Sequence, residues 1–201
     1  MDGIVIIDKA KGISSFGVVA KIRKIYNTKK VGHCGTLDPE ASGVLPVMIG
    51  KATKVSKYLV EHDKEYIATL KLGIKTDSGD SEGKIIVEDN FKLDVNNENE
   101  YIEKINQMIG KQQQIPPMYS AIKVNGKKLY EYARDGIEVE RKSREIEIYK
   151  INVEEIDYEN NEITYKVKCS KGTYIRTLCE TIAEKLETVR LYERTKKNQS
   201  R

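Results

Sequence analysis

The sequence predicts an α+β fold with a mixed, mostly antiparallel sheet flanked by helices. Three observations point there. Residues 64–74 alternate, placing Tyr66, Ala68, Leu70, Leu72 and Ile74 on one face, the period-two signature of a half-buried strand. Residues 146–156 and 163–169 form two further strand-like runs separated by a short polar turn, as in an antiparallel pair. Helical-period segments occur among the strands without a regular βαβ rhythm, which argues against a doubly wound parallel sheet. With 201 residues the chain fits one domain, or one domain with a small appendage, and is long enough to bury a core.

Taken in order, residues 3–8 read as a short buried strand. Ser14 and Ser15 offer N-caps for a helix whose apolar face holds Val18, Ile22 and Ile25. Residues 31–43 are a loop rich in glycine and turn formers. Residues 44–49 are an apolar strand in which Pro46 predicts an edge or a bulge. Thr53 can cap a helix that reaches Leu59. Residues 84–88 continue the sheet after a Ser-Gly-Asp-Ser-Glu-Gly turn at 78–83. A helix carrying Ile102, Ile105 and Ile109 stops at Gly110. Residues 115–144 are an irregular insertion with Pro116-Pro117, an Asn125-Gly126 turn and a short helix over 128–134. The last regular element runs from Ile175 through Leu178 and Ile182 to Leu186.

Composition excludes several classes. Hydrophobic residues make up 39% and charged ones 33%, which fits a globular chain and not a disordered one. No run approaches the roughly 20 apolar residues that cross a bilayer, so no membrane association is expected. The three cysteines are an odd count without zinc spacing, and the N-terminus lacks a signal-peptide layout, so a cytoplasmic setting is expected. The formal net charge of +4 resides in residues 190–201, with five basic groups and one acidic; residues 1–189 balance. Residues 9–30 nevertheless hold seven basic groups and no acidic one, and residues 120–144 hold seven basic and four acidic. Charge sorted in this way suits a nucleic-acid face, although solvated lysines alone give the same count.

The densest segment is Gly32-His33-Cys34-Gly35-Thr36-Leu37-Asp38-Pro39-Glu40-Ala41-Ser42-Gly43-Val44-Leu45-Pro46. Its glycines and prolines make a shaped loop, and Pro39 drives Asp38 into extended geometry leading into a strand. An Asp-Pro pair alone would signal only a turn. The whole string, however, resembles the G-[HG]-x-G-[TA]-L-D-P-x-A-[TS]-G-[VM]-L-P motif of the TruB family of tRNA pseudouridine synthases. Further segments agree in order. Lys9-Ala10-Lys11-Gly12-Ile13-Ser14-Ser15 is similar to the family's K-P-x-G-x-[TS]-S, with Ala10 replacing the usual proline. Lys64-Glu65-Tyr66-Ile67-Ala68 is similar to its K-x-Y strand. Pro116-Pro117-Met118-Tyr119-Ser120-Ala121-Ile122-Lys123, with Tyr130 and Arg134, resembles the RNA-gripping insertion of the bacterial enzymes. Gly172-Thr173-Tyr174-Ile175-Arg176-Thr177-Leu178 matches its G-T-Y-I-R-[TS]-L motif.

The resemblance implies the pseudouridine synthase catalytic fold and isomerisation of a uridine in the T-loop of tRNA, at position fifty-five. It implies Asp38 as catalytic carboxylate, Arg176 as its partner, and Tyr66 stacked on the target base with its hydroxyl placed to take the C5 proton. It also implies His33 filling the space left by the flipped base. Lys9, Lys11, Lys64, Lys123, Arg134 and Tyr174 are the expected RNA contacts. The reaction changes no oxidation state and transfers no group away, so no cofactor or metal is expected. His33 with Cys34 lacks further ligands at metal spacing. The expected partner is the T-arm stem-loop alone, with a monomeric enzyme needing no protein partner.

Residues 1–189 are thus expected to form the catalytic domain, with the insertion at about 112–144. After Leu186 the resemblance ends. The C-terminal RNA-binding (PUA-like) domain that it implies is expected to be absent, and residues 190–201 are expected to be a basic, flexible tail. Two other functions fit part of the sequence. A non-catalytic tRNA-binding or folding protein would keep the basic stretches, but it has no need of Asp38, Tyr66 and Arg176 together. A guide-RNA-dependent synthase would keep those three but not the bacterial-type insertion.

Overall fold

The computed structural model describes residues 1–60, 62–79 and 83–200, the last strand largely as backbone. Part of the 78–83 turn therefore lies outside the described residues. The first half runs β1 (Gly3–Lys9), α1 (Ser15–Ile25), β2 (Val31–His33), β3 (Ser42–Ile49), a 3-10 turn (Gly50–Val55), α2 (Ser56–Val60), β4 (Lys64–Leu72), β5 (Ile74–Thr76) and β6 (Ile85–Glu88). The second half runs α3 (Glu98–Asn106), β7 (Gly110–Gln114), β8 (Lys123–Val124), β9 (Lys127–Lys128), α4 (Leu129–Arg134), β10 (Arg144–Asp157), β11 (Glu162–Cys169), α5 (Ile175–Lys185) and β12 (Arg190–Ser200).

The main sheet has the order β1-β3-β12-β4-β11-β10-β7, with β2 also paired to β3. All of its pairings are antiparallel except β12 with β3. The α+β architecture with a mostly antiparallel sheet is therefore as the sequence predicts. Two apolar cores sit on this sheet. The larger packs α3 and α5 against β4, β10 and β11; the smaller packs α1 against β2, β3 and the loop residues Leu37 and Ala41. Tyr66 packs against both cores and so marks the seam between them.

Several elements differ from expectation, each for a local reason. Ile25 is 70% exposed because it is the last residue of α1, and the chain turns away at Asn27, whose φ is +46°. In α3 the buried face is Tyr101 and Ile105 with Met108 beyond the helix end, while Ile109 is exposed. Gly73, at φ +85°, ends β4 and starts β5 as a separate hairpin with β6, so residues 84–88 do not extend the main sheet. Strand β7 carries three glutamines and no hydrophobic alternation, and only its pairing with β10 defines it. Pro46 sits inside the sheet, not at its edge. Its carbonyl accepts from the Cys34 amide at 2.9 Å. The absent N–H points the same way, into the gap between the pairings that β2 and β12 make with β3, where no ladder bond requires a donor.

The largest correction concerns the C-terminus. Residues 190–200, expected to be a flexible tail, form β12 and pair with β4 from Arg190↔Leu72 to Ser200↔Lys64. Backbone pairing depends little on side-chain polarity. Without β12, β3 and β4 would each present a row of unpaired amides and carbonyls inside the molecule, which is more costly than ordering a polar segment.

The close approach of β12 to β3 depends on Gly43. Its φ is +110°, and a Cβ there would lie 2.2 Å from the Lys197 carbonyl oxygen. Gly43→Ala is expected to destabilise the fold by about 2–3 kcal/mol, a fall in Tm of roughly 5–10 °C in thermal unfolding. Gly3→Ala, where a Cβ meets nothing within 4 Å, is the control and should leave Tm nearly unchanged. Equal melting of the two variants would show that β12 does not press on Gly43.

Candidate active site

Asp38 lies in the loop between β2 and β3, and both of its neighbours are clamped. The buried Ser15 hydroxyl accepts from the Leu37 amide at 2.9 Å and donates to the Leu37 carbonyl at 2.9 Å. On the other side, the Pro39 carbonyl accepts from the Gly12 amide and from the Lys9 ammonium, each at 3.0 Å. Lys9 also donates to the carbonyls of Ala10 and Ile13, at 2.9 and 2.8 Å. Ser14, and not Ser15, is the N-cap of α1, accepting from the Gly17 amide. The adjacent serine is thereby left to hold the loop.

This arrangement corrects the reading of Lys9 as an RNA contact. The side chain is only 1% exposed, and its three N–H groups meet three carbonyls. Burial lowers its pKa, while Glu40 and Asp38 act in the opposite direction and favour the charged form. A lysine can be buried when every donor is satisfied and carboxylates stand nearby. Lys9 is a strut of the loop.

Arg176, at the start of α5, is 9% exposed at its side chain, against 43% for Asp38. Its Nε lies 3.1 Å from Asp38 Oδ2. The Nη2 group donates to the Tyr119 carbonyl at 2.6 Å and Nη1 to the Ser78 carbonyl at 3.4 Å. One guanidinium thus ties together the loop, the insertion and the segment after β5. The helix start is itself fixed by Gln114 of β7. Its side-chain amide donates to the Tyr174 carbonyl at 3.1 Å, and its oxygen accepts from the Tyr174 amide at 2.8 Å.

These groups border one open cavity of about 280 Å³, lined among others by Asp38, Lys64, Tyr66, Tyr119, Tyr174 and Arg176. Tyr66 stands in β4, with Val167 opposite it on one side and Lys197 on the other. Burial raises the Tyr66 pKa strongly, with Cys169 and Asp38 adding to the effect, so the ring carries a neutral phenol. A neutral phenol can stack and share its hydroxyl, but it is a weak base at rest. The lining also includes Lys171 and Lys197, so four cations face one carboxylate there. Burial lowers the Lys64 pKa, and its ammonium donates to the His62 carbonyl at 2.8 Å.

Of the residues singled out in the sequence, Asp38, Tyr66, Arg176, Lys64 and Tyr174 meet at the cavity. His33 ends β2, is half-buried, and shares a 3.0 Å hydrogen bond with the Gly35 carbonyl through Nδ1; it does not line the cavity. Lys11, Lys123 and Arg134 are exposed outside it, with Arg134 over the Tyr130 ring at 5.4 Å. Tyr119, Thr173 and Lys171 lie within or beside the motifs that point to the site, yet their place in its lining was not apparent from them. Lys197 has no sequence signal at all. Among the described residues no group of three or more His, Cys, Asp or Glu side chains is placed to hold a metal ion.

Residues 23–175 match the model of the TruB family pseudouridylate synthase (N terminal domain). The chain is 50% identical over 186 residues to a tRNA pseudouridine synthase B of Clostridium kluyveri, covering 92% of this chain and 63% of that protein. It is 47% identical over 203 residues to the protein of that name from Endomicrobium trichonymphae, covering 98% of this chain and 85% of that one. A solved Cbf5-Nop10-Gar1 complex contains a chain that superposes with a TM-score of 0.75 at 31% identity, over 98% of this chain and 48% of that chain. The chain spans less than two thirds of the length of several such relatives, 63% for the Clostridium kluyveri protein and 61% for one from Hydrogenovibrio crunogenus. With the family model matched over most of its length and the motif residues gathered at one cavity, this chain belongs to the TruB family of pseudouridylate synthases.

Proposed function

We propose that the chain isomerises uridine to pseudouridine in the T-loop of tRNA, and that it acts on the RNA as a monomer without a protein partner. The observation that carries this reading is the Asp38–Arg176 pair, 3.1 Å apart on a loop clamped from both sides, at the mouth of a cavity that also holds Tyr66. The reaction breaks the N1–C1′ bond of the nucleotide and forms a C5–C1′ bond, with a proton lost from C5 and one gained at N1. Atoms and electrons balance within the substrate.

The clamped carboxylate suits either of two first steps. It can attack C1′ as nucleophile, or remove the C2′ proton as base. Both need an ionised Asp38, and the Arg176 contact favours that form. The target base must leave its stack, at a cost of a few kcal/mol. The Tyr66 ring offers it a stacking surface in return, and the cavity's cations suit the phosphates that come with it.

Asp38→Asn is expected to lower the single-turnover rate about a thousandfold or more. tRNA affinity should stay within a few-fold, since binding rests on phosphates and loop shape. Turnover within tenfold of wild type would remove Asp38 from the mechanism.

Arg176→Lys should cost about a hundredfold in the same assay, nearly as much as Arg176→Ala. An ammonium keeps the charge but cannot reach Asp38, Tyr119 and Ser78 from one planar group. Near-normal rate in the lysine variant would reduce the arginine to a point charge.

A minimal T-arm hairpin should be modified at its one target loop uridine, because folded RNA is recognised mostly by shape, flipped bases and backbone. Comparable modification of uridines throughout an unstructured RNA would overturn T-loop specificity. Tight tRNA binding with no pseudouridine formed would instead favour the non-catalytic binder.

A further inference from the structure

Lys197 belongs to the segment expected to be a loose tail, yet the fold sets it in the wall of the active-site cavity. In β12 it pairs with Tyr66 of β4 on one side and Gly43 of β3 on the other. Directly opposed residues of antiparallel strands project to the same face, with Cβ atoms about 5 Å apart. Lys197 therefore stands beside the Tyr66 ring on the cavity side. It is only 2% exposed, and its ammonium nitrogen lies 3.5 Å from the point a Cβ on Gly35 would occupy. Gly35 and Lys197 both line the cavity.

The charged groups around it are mainly cations, with the carboxylate of Asp63, next to Lys64 in sequence, acting on Lys64. Lys64 and Tyr66 come from β4, Cys34 from the loop just after β2, Cys169 from β11, Lys171 from the β11–α5 loop and Arg176 from the start of α5. Asp38 is engaged by Arg176. In a second, shallower cavity that Lys197 also borders, Glu65 is paired with Lys166 at 3.0 Å and Asp8 stands nearby. Burial, then Lys64, lowers the Lys197 pKa to about 8, with Cys34 acting the other way. A desolvated amine of this kind binds an anionic oxygen that enters the cavity far more strongly than it would in water.

We infer that Lys197 donates a hydrogen bond to a negatively charged oxygen of the flipped nucleotide, beside the base stacked on Tyr66. The inference rests on the function proposed above. Two oxygens share this chemistry. When N1–C1′ breaks, the bonding pair departs with the base and is delocalised onto the uracil carbonyl oxygens, where a fixed cation lowers the barrier. The phosphate of the same nucleotide is the other. In either case the proton stays on Lys197.

The test compares full-length wild type with Lys197→Gln and Lys197→Arg, checked first for Tm, on a T-arm hairpin. The measurements are the single-turnover rate at saturating RNA, Kd against salt, and the rate from pH 6 to 9. If the partner is a uracil carbonyl, Lys197→Gln loses about a hundredfold in rate with Kd unchanged. The wild-type rate then falls as pH rises through about 8, where the amine loses its proton, and Lys197→Arg moves that fall to higher pH. If the partner is a phosphate, Lys197→Gln weakens Kd and reduces the log–log salt slope by about 0.7–0.9, and the saturated rate holds. A folded Lys197→Gln with wild-type rate, Kd, salt slope and pH profile would overturn the inference. Should that variant not fold, Lys197→Arg decides. An alkaline rate profile identical to wild type, together with a Kd and salt slope that match wild type at pH 9, where the amine but not the guanidinium has lost its charge, would likewise overturn it. A wild type that binds the hairpin but makes no pseudouridine sinks the proposed function, and leaves the affinity and salt measurements to judge Lys197 alone.

Discussion

Asp38 meets Arg176 at 3.1 Å, and much of the surrounding structure serves to hold that pair in place at the cavity. A half-exposed carboxylate on a free loop would spend most of its time in water. Here the residue before it is bound to Ser15 of α1, and the residue after it is bound to Lys9 of β1. The arginine is fixed in turn by carbonyls from the insertion and from the segment after β5. No single bond in this set is strong by itself, each being worth about 1 kcal/mol net or somewhat more when charged. Their value lies in removing the conformational freedom that a reacting pair would otherwise have to lose on binding substrate.

The electrostatics of the cavity follow from the same construction. Lys64, Lys171, Arg176 and Lys197 face one carboxylate, and burial makes holding charge on Lys64 and Lys197 unfavourable. An excess of cations, two of them desolvated lysines, is a poor arrangement for an empty fold and a good one for a site that receives an anion. Residues 1–189 balance in charge overall, yet they supply three of the four cations. The charges are sorted by the fold, not by composition.

The parts of this site legible in the sequence were those in which local chemistry dictates backbone shape. Glycines and prolines around Asp38 announce a fixed loop, and the alternation around Tyr66 announces a strand with one buried face. What escaped was decided by partners distant in sequence. Lys9 looks like any surface lysine until the Pro39 carbonyl, 30 residues away in sequence, joins the nearby carbonyls of Ala10 and Ile13 around it. Residues 190–200 carry no apolar alternation because the pairing that orders them is made by backbone atoms. The buried face of α3 was misread because Tyr101 and Met108 fill the core where Ile102 and Ile109 were expected.

The position of β12 also sets the width of the site. Asp38 lies in the loop that enters β3, and Tyr66 lies on β4, with β12 between the two strands. Neighbouring strands are spaced by about 4.8 Å, so β3 and β4 stand two spacings, roughly 9.6 Å, apart. If β3 and β4 paired directly, that distance would halve, and the loop that carries Asp38 would enter the sheet one strand spacing closer to the strand that carries Tyr66. The inserted strand must in turn approach β3 closely, which is why a glycine stands at position 43, where a side chain would strike the Lys197 carbonyl. The glycine in the motif and the strand at the far end of the chain therefore answer one geometric requirement. Together they hold the loop of the carboxylate and the strand of the aromatic ring two strand spacings apart.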